Sequence, residues 1–264
     1  MFTNVDVGIE STQWVMKTEV AVPPPHGSRR VSLVVDHTST SPPEFAAELF
    51  APIAANYERW TRLLSLGQDA RWRKRMVDGF GLPPGSRVVD VAAGTGSITR
   101  LMSSKGLDVV SVDQSRHMLR MAQRRGAAAA VATAERLPFA DEVFDGVTFG
   151  YLLRYVDSVS VCLNEVVRVV RPGGVVGMVE FGRPSGMWRP AWWLYTRFVL
   201  PAVGLVIGSG WWEVGRFLGP SIDGFTQVHS PDLLASEWRA AGMEDVRFVR
   251  MSFGGGLVMW GRRQ

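Results

Sequence analysis

The sequence predicts an α/β chain built on a doubly wound, mostly parallel sheet, and three observations carry that reading. From Pro84 to Phe181, five apolar runs rich in valine and alanine alternate with amphipathic runs, the pattern of parallel strands joined by crossover helices. The first run, "RVVDVA", passes directly into the turn Gly94-Thr95-Gly96, where glycines let a ligand approach the backbone. The second, "DVVSVD", ends on Asp113, at the carboxyl edge where open α/β sheets bind their ligands.

Residues 1–43 precede this body as an extended or disordered segment. Its "VPPPHGSRR" and "HTSTSPPEF" stretches favour turns and bury little surface. Over 44–83, Phe45, Leu49, Ile53, Tyr57 and Trp60 recur at helical spacing, and "DARWRKRMVDGFGL" forms a second helix that runs to the breaker "PPGS". Residues 84–181 hold the core. "RVVDVA" is a strand, "SITRLMSSKG" a helix closed by Gly106, "DVVSVD" a strand and "SRHMLRMAQRRG" a helix closed by Gly126. "AAAAVAT" is the third strand by position alone, because alanine prefers helix. "VFDGVTFG" is the fourth, "SVSVCLNEVVRVVRPGG" a helix stopped by Pro172 and Gly173, and "VVGMVEF" the fifth.

Residues 182–226 then break the rhythm as an aromatic-rich insertion. They carry five of the ten tryptophans: Trp188, Trp192, Trp193, Trp211 and Trp212. Over 227–264, "SPDLLASEWRAAG" is a helix capped by Ser230, and "EDVRFVRMSFGGGLVMWGRR" gives two strands joined near Gly254 to Gly256. These two bring the sheet to seven strands.

With 264 residues, the chain suits one large domain with appendages. Its 29 Lys and Arg against 25 Asp and Glu are dispersed, without the clustering of a nucleic-acid footprint. The single cysteine, Cys162, excludes an internal disulfide and a Cys-based zinc site. No metal is expected, for the histidines are scattered, and neither HExxH nor GxSxG occurs. No signal peptide is visible at the N-terminus, so a cytoplasmic location is expected. The longest uncharged apolar stretch, residues 198–212, falls short of the ~18 to 20 residues of a spanning helix. Trp72 among Arg71, Arg73, Lys74 and Arg75, with the tryptophans of the insertion, leads us to expect peripheral contact with a membrane.

The glycine loop and Asp113 together imply an adenosine-containing ligand, because a carboxylate there accepts hydrogen bonds from both ribose hydroxyls. Two ligands compete. A dinucleotide fingerprint has a third glycine where Thr99 stands, and it opens a helix N-terminus to pyrophosphate. Asp90, ahead of the turn, opposes pyrophosphate and suits the positively charged amino-acid end of a sulfonium cofactor, directly or through water.

The segments "VVDVAAGTGSIT", "VVSVDQSRHML", "ATAERLPFADEVFDGVTFGYLLRYV" and "EVVRVVRPGGVVGMVEF" resemble, in order and spacing, the class I S-adenosylmethionine-dependent methyltransferases. "FAPIAANYERWTRLLSLGQDARWRKRMV", "VEFGRP", "FLGPSIDGF", "AAGMEDVRF" and "FGGGLVMWGRR" narrow the resemblance to the ubiquinone/menaquinone biosynthesis C-methyltransferases. It covers about Phe45 to Arg262. It implies the Rossmann-like seven-stranded fold and S-adenosylmethionine as cofactor.

Carried over by position, the resemblance implies that Gly94 and Gly96 line the methionine part of the cofactor, beside Asp90 and Ala92. It puts Asp113, Gln114 and Met118 at the ribose, and Thr133, Ala134, Glu135 and Leu137 at the adenine, Thr133 replacing the family's usual aspartate. Phe149 opens the stretch that faces the methyl donor. There Arg154 is kept, and Tyr155 stands in place of an asparagine. Tyr57 matches a tyrosine of the family's helical lid over the substrate, making 44–83 that lid.

The expected substrate is a small lipophilic quinol, and the expected reaction is methylation at carbon. Once a ring hydroxyl loses its proton, Arg154 stabilises the phenolate, while Tyr155, Glu180, His117 and His229 are the candidate bases. The aromatic insertion, with Trp188 and Trp192, and Tyr57 form the acceptor wall. The insertion's alternatives are a contact between two copies in a homodimer, or an ordinary core flap. The alternatives for function are methylation at oxygen or nitrogen of another small lipid or secondary metabolite, and an inactive methyltransferase-like binding protein.

Overall fold

In a computed structural model, residues 4–10, 13–19, 45, 48–124, 127–208 and 210–264 are described. Of the expected N-terminal extension, β1 (Asn4–Glu10) and β2 (Gln13–Glu19) pair antiparallel as a two-stranded sheet. This part of the expected extended or disordered segment is thus extended chain paired as two strands. The remainder of that extension, and Gly126, expected to close a helix, lie outside the described residues.

The valine-rich runs become the centre of a seven-stranded sheet, because β-branched side chains buried on both faces are what a parallel strand under two helical layers needs. Its strands are β3 (Arg87–Val91), β4 (Asp108–Asp113), β5 (Ala128–Val131), β6 (Phe144–Gly150), β7 (Val170–Phe181), β8 (Met243–Met251) and β9 (Gly256–Arg263), in the order β5-β4-β3-β6-β7-β9-β8. The first five are parallel, and β9 pairs antiparallel with both β7 and β8. Strand order reverses between β3 and β6, which opens a crevice beyond their carboxyl ends.

A turn of 3-10 helix (Ala51–Asn56) leads into α1 (Tyr57–Leu64) and α2 (Gln68–Asp78). Between the strands run α3 (Ser97–Ser103), α4 (Arg116–Gln123) and α5 (Val159–Val169). The insertion holds α6 (Arg189–Leu194), a π-turn (Tyr195–Val199), α7 (Leu200–Ile207) and α8 (Trp211–Val228), and α9 (Pro231–Ala240) follows. The helix expected to stop at Pro172 ends earlier, at Val169, and β7 begins at once with Val170 paired to Phe144. Pro172 therefore sits at a bulge, where the missing N–H breaks no ladder.

Each sheet face carries its own core. Leu163, Val166 and Trp238 of α5 and α9 cover one, while Trp72 and Met76 of α2, with Phe80 and Met102, cover the other. Trp72 is buried and offers no ring to a membrane surface, while Arg71, Lys74 and Arg75 around it are exposed. Two glycines admit this layer: a Cβ at Gly177 would lie 2.4 Å from the Phe80 ring, and one at Gly256 2.5 Å from the Trp72 ring.

The insertion corrects a second expectation. Residues Gly186–Ile207 form one helical run of 22 residues, by length and composition long and apolar enough to cross a membrane. One side packs on α8, so closely that a Cβ at Gly204 would be 2.3 Å from the Trp211 carbonyl oxygen. Arg197 and Asp223 pair across the same seam at 2.9 Å. The other side exposes Met187, Trp193, Leu194, Phe198, Leu205 and Val206.

Overpacking a well-filled core costs about 1–3 kcal/mol. The Gly177→Ala variant is accordingly expected to lose about that much stability in urea unfolding, and an unchanged midpoint would show that the Phe80 layer yields freely.

Candidate active site

The β3–α3 loop, the ends of β4 and β6, helices α1 and α2, and the insertion together enclose a cavity of about 400 Å³. Gly94 has φ +56°, and its missing Cβ faces open space, so the cavity reaches the backbone there. Ala92, at φ +54°, holds a conformation that is uncommon for a residue with a side chain. The Gly94 N–H donates to Asp113 Oδ2 at 2.8 Å and the Ser115 N–H to Oδ1 at 2.8 Å. Burial pushes the Asp113 carboxyl up, and these two amides oppose the shift. Each oxygen keeps a further lone pair for a hydroxyl in the cavity.

Gly96 has a different task from the one expected. It does not line the cavity, and a Cβ there would lie 3.0 Å from Ala122 of α4. Its glycine lets the loop pack on the neighbouring helix.

Asp90 likewise lies beneath the loop, without exposure to water or to the cavity. Its Oδ2 accepts from the Thr99 N–H at 2.9 Å and the Thr99 hydroxyl at 2.7 Å, while its Oδ1 has no hydrogen-bond partner among the described residues. Thr99, standing where a dinucleotide loop has glycine, is thus the residue that fixes the start of α3. Burial pushes the Asp90 carboxyl up to about 7, against the Thr99 hydrogen bonds.

Gln114, Met118, Thr133, Ala134 and Glu135 line one end of the cavity, where the adenosine half was expected. Glu135 also accepts from the Ser158 N–H at 2.7 Å. Phe149 does not reach this space; it is core, its ring 6.0 Å from that of Trp238 on the far sheet face.

Aromatic rings and two buried ion pairs shape the other end. Tyr57 stacks on Trp211 at 6.3 Å, and Phe50 sets its edge against both Tyr57 and Tyr155. Trp192 lines the wall, whereas Trp188 stacks on Phe253 at 4.5 Å outside it. Burial raises the Tyr57 hydroxyl to about 12, so it stays neutral.

Arg154 lines the cavity, with Nε donating to Glu180 Oε1 at 3.0 Å and Nη1 to Ser221 at 3.2 Å. Both side chains of the pair are almost wholly buried. Burial works against the cation, but the Glu180 carboxylate and the Tyr155 hydroxyl together outweigh it and raise the Arg154 pKa. Glu180 itself does not line the cavity, and so acts through Arg154. Of the four candidate bases only Tyr155 lines the cavity. His117 is exposed on α4, and His229 pairs with Glu237 at 3.1 Å.

Four participants were not read from the sequence. Glu58 of α1 accepts from the Thr95 and Ser97 hydroxyls at 2.8 and 3.0 Å, which ties the N-terminal helix to the glycine loop. Asp69 and Arg73 of α2 meet Tyr151, just after β6, at the aromatic end of the cavity.

A protein-family model described as the ubiE/COQ5 methyltransferase family matches residues 38–262. The chain belongs to this family. It is 36% identical over 221 residues to a ubiquinone/menaquinone biosynthesis C-methyltransferase of Desulfotalea psychrophila, covering 81% of this chain and 88% of the relative. To a demethylmenaquinone methyltransferase of Parafrankia sp. it is 36% identical over 241 residues, covering 82% and 92%. Among solved structures, a SAM-dependent methyltransferase of Thermotoga maritima shares the fold with a TM-score of 0.57 at 21% identity, over 82% of this chain and 99% of that one.

This ubiE/COQ5-family protein is therefore an enzyme, a methyltransferase whose methyl donor is S-adenosylmethionine. The residues present fit that donor. Gly94 leaves room for close backbone approach, Asp113 offers hydrogen-bond acceptors, and Met118 and Ala134 supply apolar surface for a ring.

Asp90 gives the fold a pH dependence. Its folded pKa of about 7 lies above the ordinary carboxyl value, so the folded state holds this proton more tightly than the unfolded one. The resulting stability is present in acid and lost as pH rises through about 7. Urea midpoints measured from about pH 5 to pH 8 are expected to fall in the parent and to fall less in Asp90→Asn; equal slopes would contradict this assignment.

Proposed function

We propose that the enzyme methylates a ring carbon of a lipophilic quinol, such as demethylmenaquinol or a ubiquinone precursor. The observation that carries this reading is a buried guanidinium, Arg154, set among aromatic rings in the cavity that opens beside the Gly94 loop. The names of the relatives support the same acceptor class.

S-adenosylmethionine supplies an electrophilic methyl group, and what remains for the protein is alignment, exclusion of water and stabilisation of developing charge. Tyr57, Phe50, Trp192 and Trp211 provide flat apolar surface against which a fused ring lies. Arg154 faces the acceptor oxygen and stabilises the phenolate left when the acceptor hydroxyl gives its proton to water; the charge moves onto the ring carbon, which takes the methyl group and then gives up its own hydrogen as a proton. Glu180 and Ser221 hold its guanidinium in place, and Tyr155 offers a neutral hydroxyl beside it. Tyr155 in place of asparagine also favours a second reading, methylation at oxygen of a related phenol.

Incubation with methyl-labelled donor and a panel of demethylmenaquinol, a ubiquinone precursor and simple phenols tests the proposal by mass location of the label. Label on ring carbon is expected; label on oxygen selects the second reading. Asp113→Ala is expected to lose donor binding by calorimetry. Combining Arg154→Ala with Glu180→Gln removes the cation without stranding its carboxylate, and should keep donor binding while lowering kcat by about 100-fold.

We also propose that the enzyme works in the cytoplasm, resting on a membrane surface through the outer face of residues 186–207. Exposed Trp193, Leu194, Phe198, Leu205 and Val206 support this, while the packing on α8 and the Arg197–Asp223 pair favour a helix that lies on the bilayer over one that crosses it. Cosedimentation with phosphatidylglycerol-containing vesicles is expected for the parent and lost in Trp193→Asp with Phe198→Asp; parent protein that stays in the supernatant would refute it.

A further inference from the structure

The acceptor end of the cavity holds two buried arginine–carboxylate pairs, of which Arg154–Glu180 is one. The other comes from a different part of the chain. Arg73 Nη2 lies 3.1 Å from Asp69 Oδ1 on α2, with the two residues 9% and 3% exposed. The Tyr151 hydroxyl donates to the same Asp69 oxygen, and the Arg73 guanidinium lies 5.5 Å from the Tyr151 ring centroid. Tyr151 and Arg73 line the cavity, and Asp69 stands behind them. Tyr151 holds φ +59°, a conformation disfavoured for a bulky residue and found where surroundings dictate it.

Phe181 separates the two pairs. Its ring is 4.6 Å from the Tyr151 ring and 5.4 Å from the Arg154 guanidinium. The wall therefore reads polar, aromatic, polar, with a hydrogen-bonding group on either side of an apolar ring. A 1,4-dihydroxy ring has the same sequence of features: oxygen, ring face, oxygen.

We propose that the Tyr151 hydroxyl oxygen, held in place by Asp69 and Arg73 behind and beside it, forms a second oxygen-binding position, which takes the hydroxyl para to the one facing Arg154, so that the enzyme reads both ends of a dihydroxy ring. The assignment rests on the reading of the acceptor as a quinol.

The direction of hydrogen bonding makes it selective. Arg73 pairs with Asp69, so this carboxylate accepts, and the Tyr151 hydrogen is committed to it. The Tyr151 oxygen consequently has only lone pairs to offer the cavity. An O–H of the reduced ring satisfies them, whereas a methoxy oxygen or a quinone carbonyl brings no hydrogen and leaves two acceptors face to face. Sites built to bond a hydroxyl reject analogues lacking it because a buried polar group is then left unpaired.

The test compares the full-length parent and Tyr151→Phe on a short-chain prenyl 1,4-naphthalenediol and its two monomethyl ethers. Phenylalanine keeps the ring contacts with Phe181 and Arg73, and donor titration checks that the cofactor end is intact. The parent should prefer the diol to both ethers by at least about tenfold in kcat/KM. Tyr151→Phe should lower kcat/KM for the diol and close the gap for one ether only, the ether whose methyl occupies the Tyr151 position. Asp69→Ala, which removes the acceptor of the Tyr151 hydrogen, should narrow the same gap. Equal discrimination by parent and Tyr151→Phe overturns the assignment and leaves the pair as a tie between α2 and the sheet. Turnover of neither the diol nor the ethers by the parent overturns the quinol reading, and this assignment with it.

Discussion

A carboxylate shut away from water governs the working end of this molecule. Asp90 takes both hydrogens that Thr99 can give, and so fixes where α3 begins relative to β3. The chain between them has to reverse direction within a few residues, which requires the left-handed conformations of Ala92, Gly94 and Gly96. Gly94 then presents its amide to Asp113 across the crevice. Glu58 closes the arrangement from above by accepting from Thr95 and Ser97 of the same loop. Hydrogen bonds to charged groups contribute about 1.5–3 kcal/mol each, enough for this short network to set the loop's shape.

Farther along the crevice, the same lack of water gives the two arginines their force. An ion pair taken out of water loses hydration, and its mutual attraction recovers that loss only with good geometry and further hydrogen bonds. Arg154 has both, through Glu180, Ser221 and Tyr155. Its charge is thus held before any acceptor arrives. Under the quinol reading proposed above, a low-dielectric cavity would let it act on a developing phenolate more strongly than water does.

The alternation of apolar and amphipathic runs made the seven strands and their connecting helices legible, because periodicity reports local burial directly. The cavity-lining positions of Gly94, Asp113 and Arg154 were legible for a related reason: Asp113 ends β4, and the other two lie on the chain just beyond the ends of β3 and β6, where topology gathers ligands. Asp90 and Gly96 were read as ligand contacts because loop residues look alike in sequence, whereas one sits under the loop and the other beside α4. Phe149 and Trp188 failed on side-chain direction, one facing the far sheet layer and the other a surface ring. The Tyr151–Asp69 contact joins residues 82 positions apart, and no local pattern announces such a meeting. Trp72 looked exposed among its basic neighbours because charge on one face of a helix hides the burial of the other.

Tyr57 and Glu58 are adjacent on α1, yet one lines the aromatic end of the cavity and the other grips the glycine loop. A displacement of this helix would alter both places at once, so α1 offers a physical route by which the two binding events would be linked. Whatever factor a bound acceptor imposes on the affinity for the methyl donor, through α1, the donor imposes in return on the affinity for the acceptor.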